Sequence, residues 1–110
     1  MSADGPDAPD LPVGAFVVEP ALGRAVVVPD RALRKIRDDH GGYFMPRRDQ
    51  ILGAILNADG HAEDPIVGRH RYWRAGVGGT RWLFVVVDYD RRAVGEVITA
   101  FPRRRLPPMP

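Results

Sequence analysis

The stretch TRWLFVVVDYD, residues 80–90, is apolar on both alternations of an extended chain. Trp82, Phe84 and Val86 would face one way, and Leu83, Val85 and Val87 the other. A strand with two greasy faces belongs in the middle of a sheet, covered on both sides. Upstream, PIVGRHRYWRAG (residues 65–76) reads as a strand with mixed faces that ends in the turn GVGG (76–79). Downstream, RRAV (91–94) makes a second turn, and GEVITAFP (95–102) is the last strand before the basic tail RRRLP. Short connections make these three strands most simply an antiparallel meander.

Two helices are expected before the meander. In PDRALRKIRDDHGG (29–42), Asp30 is placed to cap, Leu33, Ile36 and His40 share one face, and Gly41 supplies a left-handed stop. RRDQILGAILNADG (47–60) carries the stripe Ile51, Leu52, Ile55 and Leu56 and ends at Asp59-Gly60. The runs VGAFVVEP (13–20) and GRAVVVP (23–29) are short enough for a hairpin. The expected fold is α+β: two N-terminal helices packed on an antiparallel β-meander of three to four strands. The domain would span residues 13–106. A disordered tail would precede it at 1–12, where MSADGPDAPDLP is poor in apolar residues, and a short tail would follow at 107–110.

With 110 residues the chain is sized for one domain. It has no cysteine, which excludes disulfides, thiolate chemistry and cysteine-ligated zinc. No run approaches the apolar length of a membrane span, and no signal-peptide pattern opens the chain. The reading is a soluble protein acting in the cytoplasm. The formal charge of +2 hides an asymmetry: residues 1–65 sum to −4 and residues 66–110 to +6. A basic C-terminal block suits a phosphate-rich partner. Fifteen of the sixteen basic residues are Arg, a bias that a GC-rich genome alone would produce. The distribution therefore weighs more than the count.

The helix ending in His-Gly, the "I..IL" helix, "RYW", "WLFVVVDYD" and "GEVITAFP", in that order over residues 26–106, resemble the barnase–EndoU–colicin E5/D–RelE-like (BECR) group of small bacterial ribonuclease domains. That group includes C-terminal toxin domains of contact-dependent and other polymorphic toxin systems, and nuclease-like domains of phage proteins. The resemblance implies a metal-independent endoribonuclease that needs no cofactor and cleaves RNA, with tRNA the expected target, through the RNA's own 2′-hydroxyl. His40 matches the helix-terminal histidine and Thr99 the last-strand hydroxyl. Arg71 or His70 matches the basic residue on the first meander strand. A cognate immunity protein, acidic in character, is the implied partner. Such toxins commonly form the tail of a longer secreted protein, whereas this chain opens at its own Met1.

The residues themselves admit further readings. In a strand, His70, Tyr72 and Arg74 face one way, and Arg69, Arg71 and Trp73 the other. Either set suits RNA, because Arg pairs with phosphate and aromatic faces stack on unpaired bases. Thr99 would share a face with Val97 and Phe101 and donate its hydroxyl to the phosphate. Structurally it is also a good strand former. Arg103, Arg104 and Arg105 supply sequence-independent phosphate affinity or a solvated tail, and Arg81 beside Trp82 reaches the same surface. GVGG lacks the lysine and following helix of a phosphate loop and reads as a hairpin turn. His61, with Glu63 and Asp64, reads as a surface loop residue, and the three histidines show no metal-ligand spacing. Catalysis would need the His40 ring within about 10 Å of Thr99 and of a guanidinium from RHRYWR. Without that convergence, a non-catalytic nucleic-acid-binding module or a small protein-interaction domain is the alternative.

Overall fold

A computed structural model describes residues 16–41, 44–90 and 93–106. The expected tails at 1–12 and 107–110 lie outside the described residues, as do Arg91 and Arg92. The described chain runs β1 (Phe16–Glu19), β2 (Arg24–Val27), α1 (Asp30–His40), α2 (Arg48–Leu56), β3 (Gly60–Glu63), β4 (Arg69–Ala75), a single 3-10 turn (Val77–Gly79), β5 (Trp82–Asp88) and β6 (Gly95–Arg103). No described helix is long and apolar enough to cross a membrane.

The expected architecture of two N-terminal helices on a meander of three to four strands is overturned. Strands come first, and the sheet has six strands in the order β1-β2-β6-β5-β4-β3. It is mixed: β2 pairs parallel with β6, at Val26 with Gly95 and Val27 with Glu96, and the other pairs are antiparallel. The meander β4-β5-β6 is present at its centre. It left one edge on β6 and one on β4, and each gained strands. The β1–β2 hairpin closes over Gly23, at φ 66° with its N–H on the Glu19 carbonyl, and covers the β6 edge. The segment read as a helix end and polar loop supplies β3, which covers the β4 edge.

The sheet curls. β1 and β4 stand four places apart in the strand order, yet Tyr72 of β4 donates a hydrogen bond to Glu19 of β1. The curl wraps α2, which touches β1, β4 and β5. Ile51, Leu52, Ala54 and Ile55 of α2 and Ala32 and Ile36 of α1 pack on Val26, Leu83, Val85, Val87, Val97 and Ala100. Pro29, not Asp30, precedes α1, and Gly41 ends the helix in the left-handed region at φ 63° with its N–H on the Arg37 carbonyl.

β5 is buried on both faces, as its sequence requires. Its second face is covered by side chains of the sheet itself. Trp73, Phe84 and Phe101 stack across three strands with centroids 5.5 Å apart at each step, and the Arg103 guanidinium lies 5.1 Å from the Phe101 centroid.

One irregularity decides the orientation of the last strand. Val86 pairs with Thr99 but Val87 with Val97, so Ile98 is an extra residue in a β-bulge. Strict alternation would put Thr99 on the face of Val97. The bulge separates them: Val97 and Ala100 enter the helix-covered core, and Thr99 stands with Phe101 and Val86 on the opposite face.

Candidate functional site

Register fixes two ends of the sheet. Ala75 pairs with Trp82, and Trp82 with Arg103, at one end; Arg69 pairs with Asp88, and His70 with Val87, at the other. The seven residues of β4 separate these ends by about 20 Å.

At the first end lies an open groove of about 920 Å³. The β4–β5 turn supplies Gly78, Gly79, Thr80 and Arg81, the end of β6 supplies Pro102 to Arg105, and the α1–α2 connection supplies Phe44. The turn needs its glycines, since Gly76, Gly78 and Gly79 all take positive φ. The Thr80 hydroxyl donates to the Val77 carbonyl at 2.6 Å and fixes the turn. Elsewhere Arg31, Arg37, Arg47, Arg48 and Arg71 each form an ion pair. Among the described residues, no carboxylate pairs with Arg81, Arg103, Arg104 or Arg105. The His40 ring stands edge-on to Phe44 with centroids 5.0 Å apart, which places an imidazole beside the groove.

The other residues singled out from sequence go elsewhere. Thr99 faces away from the helix layer that carries His40, so the expected convergence of His40, Thr99 and the RHRYWR strand is not assembled. The bulge at Ile98 is the physical reason. β4 alternates as its sequence suggests, but its groups are committed to structure. Arg71 bonds Asp64 at 2.5 Å. Burial alone would raise the Asp64 pKa, but the Ile66 N–H and Arg71 outweigh it and hold the carboxyl below its usual range. Arg74 donates to the Gly53 carbonyl of α2 at 3.2 Å. Trp73 is buried in the aromatic stack, and Arg69 lies opposite Asp88.

His70 and Tyr72 join a cluster at the second end that the sequence did not disclose. Glu19 is 1% exposed, and both its oxygens accept hydrogen bonds: Oε1 from the Ala21 N–H and Oε2 from Tyr72 at 2.7 Å. The single Tyr72 proton goes to Glu19, so Tyr89, also at 2.7 Å, donates to the Tyr72 oxygen. Burial, followed by the hydrogen bond that Tyr72 donates to Glu19, pushes the Tyr72 pKa far up. Burial, with Glu19 adding to it, pushes Tyr89 up to about 12. His61 stacks on Tyr72 with centroids 4.5 Å apart and planes 7° from parallel. His61 Nε2 lies 2.7 Å from His70 Nδ1, and the His70 ring meets Tyr89 edge-on. Glu19, His61 and Tyr72 line a small cavity of about 200 Å³ with Ile55 and Leu56.

His61, read as a loop residue, is a strand residue paired with Tyr72. The only sequence signal for Glu19 was a carboxylate closing an apolar strand, FVVE. No three His, Asp or Glu side chains among the described residues converge as a metal site would require. No family model, curated protein or solved structure matches the chain.

Proposed function

We propose that the chain is a ribonuclease-type RNA-binding domain that takes single-stranded RNA in the Arg81/Arg103–Arg105 groove. One observation carries this reading: four arginines without a carboxylate partner among the described residues line one groove, while Arg31, Arg37, Arg47 and Arg48 of the N-terminal half are ion-paired. Unneutralised guanidiniums invite phosphate, and Arg meets phosphate bidentately. Phe44 offers a ring for an unpaired base to stack on. His40, against Phe44, is the imidazole within reach of a bound backbone. In cleavage, the 2′-hydroxyl loses its proton to a base and attacks the phosphorus. The 5′-oxygen leaves with a proton from an acid, and the arginines hold the charge that builds on the phosphate. An acidic immunity partner would compete for the same groove.

A second reading is favoured by the position of Thr99. With that hydroxyl across the sheet from His40, the groove can bind RNA without cleaving it. Purified protein incubated with total bacterial RNA in EDTA separates the two. Discrete fragments that vanish in His40→Gln identify an endoribonuclease with His40 in the chemistry. RNA retained intact identifies a binding module. Neither binding nor cleavage overturns both.

A further inference from the structure

We propose that the His61–His70 pair is a proton-controlled latch that holds the edge strand β3 on the sheet and releases it on acidification.

Two imidazole nitrogens 2.7 Å apart are a hydrogen bond, so one proton lies between them. That arrangement tolerates a neutral pair and a singly protonated pair. It excludes two imidazolium ions, because both facing nitrogens would then carry hydrogen and like charges would meet at contact. Uptake of a second proton must therefore separate the rings.

The rings sit where separation has a structural consequence. His61 belongs to β3, which has four residues and hydrogen-bonds to the sheet through β4 alone among the described strands. His70 belongs to β4, diagonal to His61 in the register. Besides its backbone ladder, β3 is fastened by the stack of His61 on Tyr72 and by Trp73 lying across Gly60. Displacing the His61 ring breaks the first of these and uncovers the phenol that donates to buried Glu19.

The surrounding charges set the order of events. Glu19 from β1 and Glu63 on β3 face His61 and favour a first proton on the pair. Tyr72 from β4 and Tyr89 beyond β5 keep their protons, and Arg24 from β2 lies over Tyr89 at 5.1 Å. From α2 the neighbours in the cavity wall are Ile55 and Leu56, which carry no charge. Burial, then the charge of His70, holds the His61 pKa below its ordinary 6.5 despite the two glutamates. A histidine with a lowered folded pKa stabilises its structure fully above the unfolded value and ceases to do so as pH falls. The latch is therefore closed above about pH 6.5 and opens below it.

Hydrogen exchange on the intact chain tests this, with amide rates corrected for intrinsic chemistry. From pH 7.5 to 5.0, the amides of Ala62 in β3 and of Asp64 just after it, which donates to the Arg69 carbonyl at 2.9 Å, should lose at least tenfold in protection relative to Val85 in β5. In His61→Phe, which keeps a ring on Tyr72 and removes the titration, β3 protection should be flat across the same range. His70→Gln, which leaves His61 in its place but removes the second ring, should lose clearly less β3 protection than the wild type, and it serves where His61→Phe does not fold. Unchanged β3 protection in the wild type, or the same pH-dependent loss in either variant, overturns the latch. Independent titration of both rings at about the unperturbed 6.5 overturns it too.

Discussion

Tyr72 shows how a single hydroxyl can organise one end of this molecule. It donates to Glu19 and accepts from Tyr89 inside a site where both rings and the carboxylate are buried. Tyr72→Phe leaves a buried carboxylate oxygen short of a donor and Tyr89 short of an acceptor. The cost should be about 1–3 kcal/mol, read as a lower denaturant midpoint at unchanged m-value. RNA binding should be unaltered, because the groove is at the other end of β4. Thr99 gives the contrasting case. On the outer face, away from His40, it is a strand residue opposite Val86. Thr99→Val should change stability by no more than about 1 kcal/mol and leave RNA binding and any cleavage within twofold. A tenfold loss of cleavage in a folded Thr99→Val protein would return that hydroxyl to the phosphate. Sequence identified Thr99 as a polar residue in an apolar strand but could not orient it, because the period of two carries no mark of the extra residue at Ile98. Glu19 was equally visible and equally unorientable: its side-chain partner Tyr72 lies 53 positions away, on a strand brought to it only by the curl of the sheet.

At the scale of elements, periodicity and turn chemistry revealed α1, α2, β4, β5 and β6. The doubly apolar β5 was legible because both its faces are buried regardless of what covers them. The identity of the cover was not legible, since helices and an aromatic stack impose the same demand on Phe84. β3 went unread because four residues, Gly60 to Glu63, are too few to show alternation, and three of the four are exposed. Its place in the sheet depends on a steric detail. The Trp73 indole lies across Gly60 so closely that an added Cβ would sit 2.1 Å from its ring. Gly60→Ala must either lift the indole or detach the start of β3. It should lower stability by about 1–3 kcal/mol, read by thermal or denaturant unfolding, with a change in tryptophan fluorescence reporting the displaced ring. An Ala variant with wild-type stability and fluorescence would show that Trp73 does not rest there. The β1–β2 hairpin was anticipated, but its parallel docking on β6 was not. Nothing local in GRAVVVP distinguishes an isolated hairpin from one that closes an open sheet edge.

At the scale of the whole molecule, charge and topology act together. The sequence placed its basic excess in the C-terminal half, and the fold gathers part of it by bringing the 76–81 turn beside residues 102–105 across the β5–β6 pair. The charge block was therefore legible from composition. The groove was not, because it depends on the pairing of Trp82 with Arg103. Placing the acid-sensitive histidine pair about 20 Å from the groove means that the two features can be perturbed separately. The most direct test of the account is the salt dependence of single-stranded RNA affinity for the wild type and for a variant with Arg103, Arg104 and Arg105 all changed to Gln. If all four groove arginines contact phosphate, the slope of log K against log salt should be about −3 for the wild type, and the triple change should flatten it by about 2 while the protein stays folded. A triple variant that binds RNA with the wild-type slope would contradict the groove as the RNA site.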